Sequence, residues 1–408
     1  MKKVNFILAV TLSLTNLSLF TIGFAEFTIF HAVIVLFTLT VFLVFISKNI
    51  LRLKAPKYLI LLTAYITLIN ILNLNNFKFT SFVYTFVILI ELLLLYSLIP
   101  KFNIKLIKKA LRAIIFLYFI NILITAILIH FKSLPTGFVE KIFGYYNFAG
   151  KIRPQGFSSE PSYAALIIAF TLLALLKCTN FIYDRRETIW YILAILSIIL
   201  TNSSYGYLFL IIIIIYFLLK SKLISSAGLI LVAGVVTLLF IAIVFFDDLT
   251  KNYAFARLSN ISNLIVASDY NISKIVKNLS LVDGSASYRV LPTMGLIEQY
   301  SSMPLSNLLL GYGAGSSTIF FTSFYNGNLT LLGFIPAFVY NYGIIGTVIA
   351  FLCFLSLFPK EKALLLILFI LFLFNADFNT QIFLFVLFII MICNQIEKLY
   401  KEGIHAKD

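Results

Sequence analysis

The chain has little charge for its length: 12% of its 408 residues are Asp, Glu, Lys or Arg, whereas 61% are hydrophobic. A typical soluble domain carries about twice that share of charged residues, roughly 25%. So few charged side chains cannot cover the apolar surface of a water-soluble fold of this size. The composition therefore excludes a soluble globule and indicates a polytopic membrane protein.

The chain is also poor in residues that ligate metals or form disulfides, with three Cys and three His. The cysteines lie in or beside apolar runs, at Cys178, Cys353 and Cys393, and their spacing fits neither a disulfide framework nor a zinc site. No cluster of carboxylates resembles a magnesium site. We therefore expect no metal and no other cofactor.

The formal net charge of +15 is not gathered into one basic patch that could bind nucleic acid. The Lys and Arg residues instead occur as short clusters between apolar runs, which is how membrane proteins set their orientation. We therefore expect membrane lipid as a partner, and no nucleic acid.

The apolar runs determine the predicted architecture, because a membrane-spanning helix needs about 20 apolar residues and at least about 17. The runs cover about residues 4–24, 27–46, 58–75, 80–99, 111–131, 162–178, 188–202, 204–219, 225–246, 333–358, 363–375 and 379–395. The first run lacks a small-residue cleavage site, so we interpret it as an uncleaved span. The sequence predicts an all-α polytopic membrane protein, a single integral membrane domain over 1–408 with about twelve transmembrane helices.

The basic clusters predict which side of the membrane each connection faces. Most Lys and Arg residues fall at the two termini and in alternate connections, which the positive-inside rule assigns to the cytosol. The segments 132–161 and 247–332 then form external loops. The larger one mixes apolar, Ser and Asn residues with turn signals, which favours partial helical order on the membrane surface.

The densest group of polar residues is RPQGFSSEPSY, residues 153–163, directly before a predicted span. Arg153 offers a guanidinium that can bind an anion, and Glu160 offers a carboxylate that can accept a proton at the mouth of a helix. Pro161 suits the first turn of that helix, because its missing N–H donor is not needed there. The alternative to a catalytic site is an interfacial ion pair that anchors a re-entrant loop.

Two further polar stretches fall on the predicted external side. TNSSYGYL, residues 201–208, lies at a turn between two spans, where Asn, Ser and Gly are also ordinary turn residues. A glycine series follows, with DGSASYR at 283–289 and LLLGYGAGS at 308–316 in the large loop, and NYGIIG at 341–346 inside the next predicted span. Such glycines let the backbone approach a ligand closely or form an anion-binding nest. Arg289 is a second candidate anion ligand, with a solvated surface charge as the alternative.

Two more ionisable residues occupy unusual positions in the predicted spans. Glu91 lies mid-span, where an ionised carboxylate is costly, so it is either a proton site or a hydrogen-bonded structural carboxyl. His130 lies at the outer end of its span and either titrates near neutrality or is an interfacial structural residue.

Taken in order, the motifs RPQGFSSEPS, NSSYGYL, GSASYR, GYGAG and NYGIIG resemble those of Wzy-type O-antigen and capsular polysaccharide polymerases and the related O-antigen ligases. The resemblance covers roughly residues 150–350. It implies a GT-C-like membrane glycosyltransferase that uses an undecaprenyl-diphosphate-linked oligosaccharide. Ligases carry a His-Asn pair near the end of the large loop, whereas this chain has Phe324-Tyr325-Asn326 there. That difference favours a polymerase over a ligase.

The resemblance implies that lipid-linked repeat units are polymerised into O-antigen or capsular polysaccharide at the outer face of the bacterial cytoplasmic membrane. Arg153 and Arg289 would stabilise the diphosphate, while Glu160 would accept a proton or orient Arg153. The expected substrate-binding residues are Ser159, Tyr163, Ser204, Tyr205, Ser287, Gly311, Gly313 and Gly315. Donor and acceptor are both lipid-linked oligosaccharides, and a chain-length regulator and a flippase are further implied partners.

Two other functions remain open at this point. An O-antigen ligase would transfer the glycan to a lipid A core or to a protein. A flippase or other transporter of lipid-linked oligosaccharide should show more charged or broken helices at the membrane midplane, and it would not need so long an external loop.

Overall fold

The computed structural model describes residues 56–74, 78–131, 143–148, 151–158, 160–181, 185–220, 302–324, 333–374 and 380–402, with shorter stretches between 260 and 299 and single residues at 376 and 378. Its helices are α1 (Lys57–Leu72), α2 (Phe79–Leu98), α3 (Ile104–His130), α4 (Pro161–Lys177), α5 (Thr188–Leu200), α6 (Ser204–Lys220), α7 (Leu305–Leu310), α8 (Ser316–Phe324), α9 (Phe334–Leu357), α10 (Ala363–Leu373) and α11 (Gln381–Lys401). Each predicted apolar run inside the described residues overlaps one of these helices. The runs 4–24, 27–46 and 225–246 lie outside the described residues.

Several of these helices are suited to a lipid environment. Within the described residues, four helices are long and apolar enough to cross a membrane: α2 from Ser81, α3, α9, and α11 from Ile382. The helices α1, α4, α5, α6 and α10 are also apolar but shorter. The chain is therefore a mostly helical membrane protein, as predicted. The total of about twelve spans stays a prediction, because part of the chain lies outside the described residues.

The helix α3 begins about two turns before the predicted run, at Ile104. The added turns carry Lys105, Lys108 and Lys109, and these charged residues lower the hydropathy so that the predicted apolar run does not include them. The helix continues through them because Lys has a good helix propensity. Its start is capped by the Asn103 side chain, which accepts a hydrogen bond from an N–H of the first turn at 2.9 Å.

Contacts within the chain divide it into two compact units. Unit A comprises residues 1–37, 102–258 and 395–408, and unit B comprises residues 38–101 and 259–394. Among the described residues, unit A therefore contains α3 to α6 and the end of α11. Unit B contains α1, α2, α7 to α10 and the start of α11.

The helix α4 lies at the centre of unit A. All of its residues are buried, and it packs against α3, α5 and α6. Its sequence is apolar on every side, which is the pattern of a helix surrounded by other helices. The residues at its N-terminus, Glu160 and Pro161, are thereby held in a fixed position.

The segment 132–161, predicted as an external loop, contains an antiparallel hairpin of β1 (Gly144–Phe148) and β2 (Lys151–Gly156). The pairing places Arg153 opposite Tyr146. Strand β2 packs against α3 and α4. Among the described residues these two strands are the exception to an all-α fold, and they hold the RPQG stretch against the central helices.

The ion pairs of unit A link segments that the charge distribution assigns to the cytosolic side. Glu187, buried directly before α5, pairs with Arg112 of α3 and, at 3.4 Å, with Lys108. Glu397 of α11 pairs with Lys177, the last residue of α4, at 3.6 Å. Each pair thus joins the ends of two helices that are far apart in sequence.

We expect Glu187→Gln to lower the free energy of unfolding by about 1–2 kcal/mol, because it removes a buried charge that two partly exposed, solvent-screened cations bind. Thermal unfolding of the purified protein in detergent measures this change. Glu402→Gln is the matched control, since Glu402 is exposed at the end of α11. Equal unfolding midpoints for Glu187→Gln and the wild type would show that the pairs add no stability.

The core of unit B is built largely from phenylalanine. The ring of Phe334 stacks on Phe338 and on Phe383, with centroids 4.7 and 5.2 Å apart. Phe354 and Phe378 pack against both Phe334 and Phe383, and all five side chains are buried. Such pairs contribute about 0.5–1.5 kcal/mol each beyond the area they bury. They fix α9 and α11 against each other within unit B.

Candidate functional site

The stretch RPQG forms the second half of the hairpin and ends in a turn at Gly156. This glycine has a φ of +62°, and a Cβ at its position would contact the ring of Tyr118 in α3. Glycine therefore allows the chain to turn in a left-handed conformation close to α3. The turn leads through Ser158 to Glu160.

Arg153 is buried in unit A, with 7% of its surface exposed. Its Nη1 donates a hydrogen bond to the backbone carbonyl of Asn202 at 3.3 Å. Asn202 lies in the turn between α5 and α6 with a φ of +48°, which Asn tolerates better than most residues. This contact joins the stretches 153–163 and 201–208, which are separate motifs in the sequence.

Glu160 is the N-cap residue of α4, and Pro161 lies in the first turn, as predicted. The Glu160 side chain makes no capping hydrogen bond to the helix; instead its Oε2 accepts one from Ser162 Oγ at 2.9 Å. Its backbone carbonyl accepts hydrogen bonds from the N–H groups of Tyr163 and Ala164, and Tyr163 itself is buried. The carboxylate thus lies beside the first turn of α4.

Tyr118 supports the turn before Glu160, a role that none of the sequence motifs predicts. It is buried midway along α3, its hydroxyl lies 3.3 Å from Ser158 Oγ, and its ring packs edge-on against Phe157 at 5.6 Å. A buried hydroxyl needs a hydrogen-bond partner. A tyrosine in the middle of an apolar run is therefore the signal that could have indicated this contact.

Ser204 and Tyr205, both expected to bind substrate, are the first residues of α6. The preceding Ser203 is buried, and its Oγ accepts a hydrogen bond from the N–H of Gly206 at 3.3 Å. A Cβ on Gly206 would contact Ala165, so this glycine lets α6 approach α4. The stretch therefore combines turn chemistry with helix packing, and substrate binding by Ser204 and Tyr205 stays a prediction.

The glycine loop, residues 311–315, lies between α7 and α8 in unit B. Gly311, Gly313 and Gly315 have φ values of +86°, +92° and +77°, all in the region that favours glycine. A Cβ on Gly311 would contact the backbone of Asn341, and one on Gly315 would contact Ser81. The close approach that these glycines allow is therefore made to the protein, and their role in substrate binding stays a prediction.

The helix α9 is broken at Gly343, where φ is +67° and ψ is −178°. The carbonyls freed by the break accept hydrogen bonds from the glycine loop. The N–H of Tyr312 donates to Tyr340 O at 3.1 Å, and that of Gly313 donates to Asn341 O at 2.8 Å. The break in NYGIIG and the GYGAG loop thus form one structure, in which N–H groups of the loop donate to the carbonyls that the break leaves free.

The side chain of Asn341 completes this junction. Its Oδ1 accepts hydrogen bonds from the N–H of Ser317 at 2.9 Å and from Ser316 Oγ at 3.1 Å, at the start of α8. The third carbonyl at the break, that of Tyr342, accepts a hydrogen bond from the Tyr65 hydroxyl of α1 at 3.0 Å. Asn341 therefore serves as the cap of a neighbouring helix.

Three predicted site residues, Ser159, Ser287 and Arg289, lie outside the described residues. The joint action of Arg289 with Arg153 therefore stays a prediction.

Glu91 lies in the interior of α2, and His130 is the last residue of α3, where its ring packs edge-on against Phe131 at 5.3 Å. In the part of the chain that the structure describes, no group of three His, Cys, Asp or Glu side chains is placed to hold a metal ion.

The comparisons with known proteins identify no family. No family model matches the chain, and neither the curated proteins nor the solved structures contain a match. The function proposed below is therefore based on the residues and their geometry.

Proposed function

We propose that the protein is a polysaccharide polymerase that joins undecaprenyl-diphosphate-linked repeat units at the outer face of the bacterial cytoplasmic membrane. One observation carries the proposal: unit A holds both a fixed cation and a fixed carboxylate. Arg153 is buried and donates a hydrogen bond to the Asn202 carbonyl, and Glu160 lies at the N-terminus of the buried helix α4. A fixed cation and a carboxylate are the groups that transfer from a lipid diphosphate requires. The proposal includes a GT-C-like arrangement of about twelve spans with both termini in the cytosol.

The reaction needs charge stabilisation more than acid catalysis. A lipid diphosphate is a good leaving group, and negative charge grows on it as the bond from the anomeric carbon to the diphosphate breaks. Arg153 is buried, so its charge acts where water screens it weakly. Arg289, in the large external segment, is the second proposed donor to the diphosphate.

Glu160 has the complementary role at the acceptor sugar. The hydroxyl oxygen of the acceptor forms the new bond to the anomeric carbon of the donor, and its proton passes to the Glu160 carboxylate. The hydrogen bond from Ser162 Oγ to Oε2 at 2.9 Å orients that carboxylate. Proton acceptance by a positioned side chain contributes about 10²–10⁴-fold to a rate.

A transporter is disfavoured by the way the break in α9 is filled. In transporters, the unwound part of a broken helix faces the substrate or a coupling ion. Here the carbonyls of Tyr340, Asn341 and Tyr342 accept hydrogen bonds from the glycine loop and from Tyr65. The break is therefore used for packing within unit B.

Purified protein in lipid nanodiscs, supplied only with lipid-linked repeat units, tests the proposal. We expect a ladder of products that each differ by one repeat unit, because donor and acceptor are the same kind of molecule. A ligase would make no ladder and would transfer a glycan only when a lipid A core or a protein acceptor is added. Failure to extend the repeat units, combined with transfer to such an acceptor, would contradict the polymerase.

We expect Arg153→Lys to impair chain extension, although Lys keeps the positive charge. Lys lacks the planar fork that binds two oxygens of a diphosphate and that reaches the carbonyl of Asn202 in this site. Arg289→Lys should act in the same way. The rate of ladder formation measures the loss, and Arg185→Lys is the control, since Arg185 is exposed in a segment predicted to be cytosolic. Fully active Arg153→Lys and Arg289→Lys proteins would argue against binding of the diphosphate by these arginines.

The topology predicts that a cysteine introduced near Asn271, in the segment 247–332, reacts with a membrane-impermeant reagent on intact cells. A cysteine at Lys360, in a segment predicted to be cytosolic, should react only after the cells are disrupted. The native cysteines Cys178, Cys353 and Cys393 are buried, so the background labelling should be low. Labelling near Asn271 only after disruption would contradict the proposed orientation.

A further inference from the structure

The end of α7, directly before the glycine loop, reaches the middle of the helix α1. The Tyr65 hydroxyl, which donates to Tyr342 O, also lies 3.4 Å from the carbonyl of Leu310, the last residue of α7. Tyr65 lies midway between Lys57 and Leu72, the two ends of α1. At a rise of about 1.5 Å per residue, roughly 10 Å of helix lies on either side of it.

The chain reaches the level of Tyr65 and returns from it on the same side of unit B. Before α7, Met303 packs against Ala337 and Tyr340 in the first two turns of α9. After Leu310, the loop returns to the connection between α1 and α2, where the carbonyl of Ala314 accepts a hydrogen bond from the N–H of Lys78 at 2.7 Å. The segment from α7 to α8 is therefore a hairpin inserted between the helices of unit B.

The irregular backbone of the loop is paired throughout its deepest part. The N–H of Gly311 donates to Asn307 O at 2.7 Å, and that of Ala314 donates to Asn70 Oδ1 at 2.8 Å. The N–H groups between them donate to α9, as described above. Non-helical backbone is tolerated at membrane depth where protein satisfies it in this way or where it lines a water-filled cavity. A loop on the aqueous surface could rely on water for the same bonds.

Among the side chains of the hairpin that the structure describes, four large apolar ones are nevertheless exposed. They are Leu305 (69%), Ile319 (60%), Leu309 (37%) and Leu310 (36%). On α9, which packs against α7 and α8, Ile344, Ile345 and Val348 are exposed as well. Exposed Leu and Ile side chains are stable in hydrocarbon, whereas in water they would be costly.

We propose that α7, the glycine loop and α8 form a re-entrant segment whose exposed Leu and Ile side chains contact the acyl chains of one leaflet. Under the proposed topology this is the outer leaflet. Residues 305–324 of the large external segment then lie within the membrane, whereas the sequence predicts that this segment lies on the membrane surface. The surface so formed binds lipid and not another protein.

Nitroxide labels on Leu309→Cys and Ile319→Cys, in protein reconstituted into phosphatidylcholine vesicles, test the proposal. Collision rates with O₂, which concentrates in hydrocarbon, and with a neutral nickel chelate, which stays in water, are measured at each site. Val348→Cys on α9 is the reference for hydrocarbon, and Glu402→Cys at the end of α11 is the reference for water. Protein without an introduced cysteine gives the background, because the native cysteines are buried.

We expect the ratio of O₂ to nickel collisions at residues 309 and 319 to match that at Val348 and to exceed that at Glu402. A ratio equal to that at Glu402 would place the hairpin in water and overturn the proposal. Low collision rates with both reagents would show that protein covers the surface, and they would overturn it as well. If Leu309→Cys does not fold, Leu305→Cys gives the same test, because Leu305 is the most exposed of the four side chains.

Discussion

Replacing Glu160 by Gln is expected to lower the rate of glycan chain extension by about 10²–10⁴-fold, the contribution of a positioned general base. The amide cannot accept the proton of the sugar hydroxyl, although it has nearly the shape of the carboxylate. The Glu160 side chain makes no capping hydrogen bond to the backbone of α4; its Oε2 accepts a hydrogen bond from Ser162 Oγ. The carboxylate is therefore not needed to start the helix, and Glu160→Gln should fold normally.

The same substitution separates proton acceptance by Glu160 from the alternative role of orienting Arg153. If Glu160 only orients Arg153, Gln retains a carbonyl oxygen that can accept a hydrogen bond, and the loss of rate should be small. Glu402→Gln is the matched control for the change of charge, since Glu402 is exposed at the end of α11. A Glu160→Gln protein that extends chains at nearly the wild-type rate would assign Glu160 to the scaffold.

Replacing Gly343 by Ala is expected to prevent unit B from folding. The φ of +67° with a ψ of −178° belongs to a region that only glycine occupies readily. A Cβ there would overlap the backbone carbonyl of Leu309, so α7 would have to move away. The movement would break the hydrogen bonds from Tyr312 to Tyr340 and from Gly313 to Asn341. The backbone strain costs about 1–3 kcal/mol and each lost hydrogen bond about 0.5–1.5 kcal/mol. Their sum is a large fraction of the net free energy of unfolding of a typical protein.

The amount of monodisperse protein after detergent extraction and its unfolding midpoint measure this effect. The neighbouring Ile345→Ala is the matched control, because it shortens an exposed side chain on the same helix and should change both quantities little. A Gly343→Ala protein with the yield and midpoint of the wild type would show that the junction of α9 and the glycine loop is not required for folding.

The apolar runs predicted the helices well, because a segment in lipid must be mostly apolar and must satisfy its backbone hydrogen bonds by forming a helix. The same criterion failed where a helix leaves the apolar region. It missed the first turns of α3, which carry Lys105, Lys108 and Lys109. It also missed the last turn of α11, which reaches Lys401. A charged helix end is stabilised by capping and by ion pairs, and hydropathy, which measures only apolar character, cannot predict these interactions.

The candidate site was predictable only in part. The position of Glu160 and Pro161 at the start of a helix follows from local backbone chemistry and was predicted correctly. The hydrogen bond from Arg153 to Asn202 joins residues far apart in the chain, so no local pattern contains it. Gly311 illustrates a second limit of sequence-based prediction. A glycine indicates that the backbone approaches another group closely, but not whether that group is a ligand or, as here, the backbone of Asn341.

The most direct test of the proposed activity is deletion of the gene in its own bacterium, followed by gel analysis of the surface glycan. A polymerase predicts that the ladder of long chains disappears while single repeat units remain attached to their carrier. A plasmid carrying the wild-type gene should restore the ladder, and one carrying Glu160→Gln should not. Complete loss of glycan from the lipid core would indicate a ligase, and an unchanged ladder would contradict any role in chain extension.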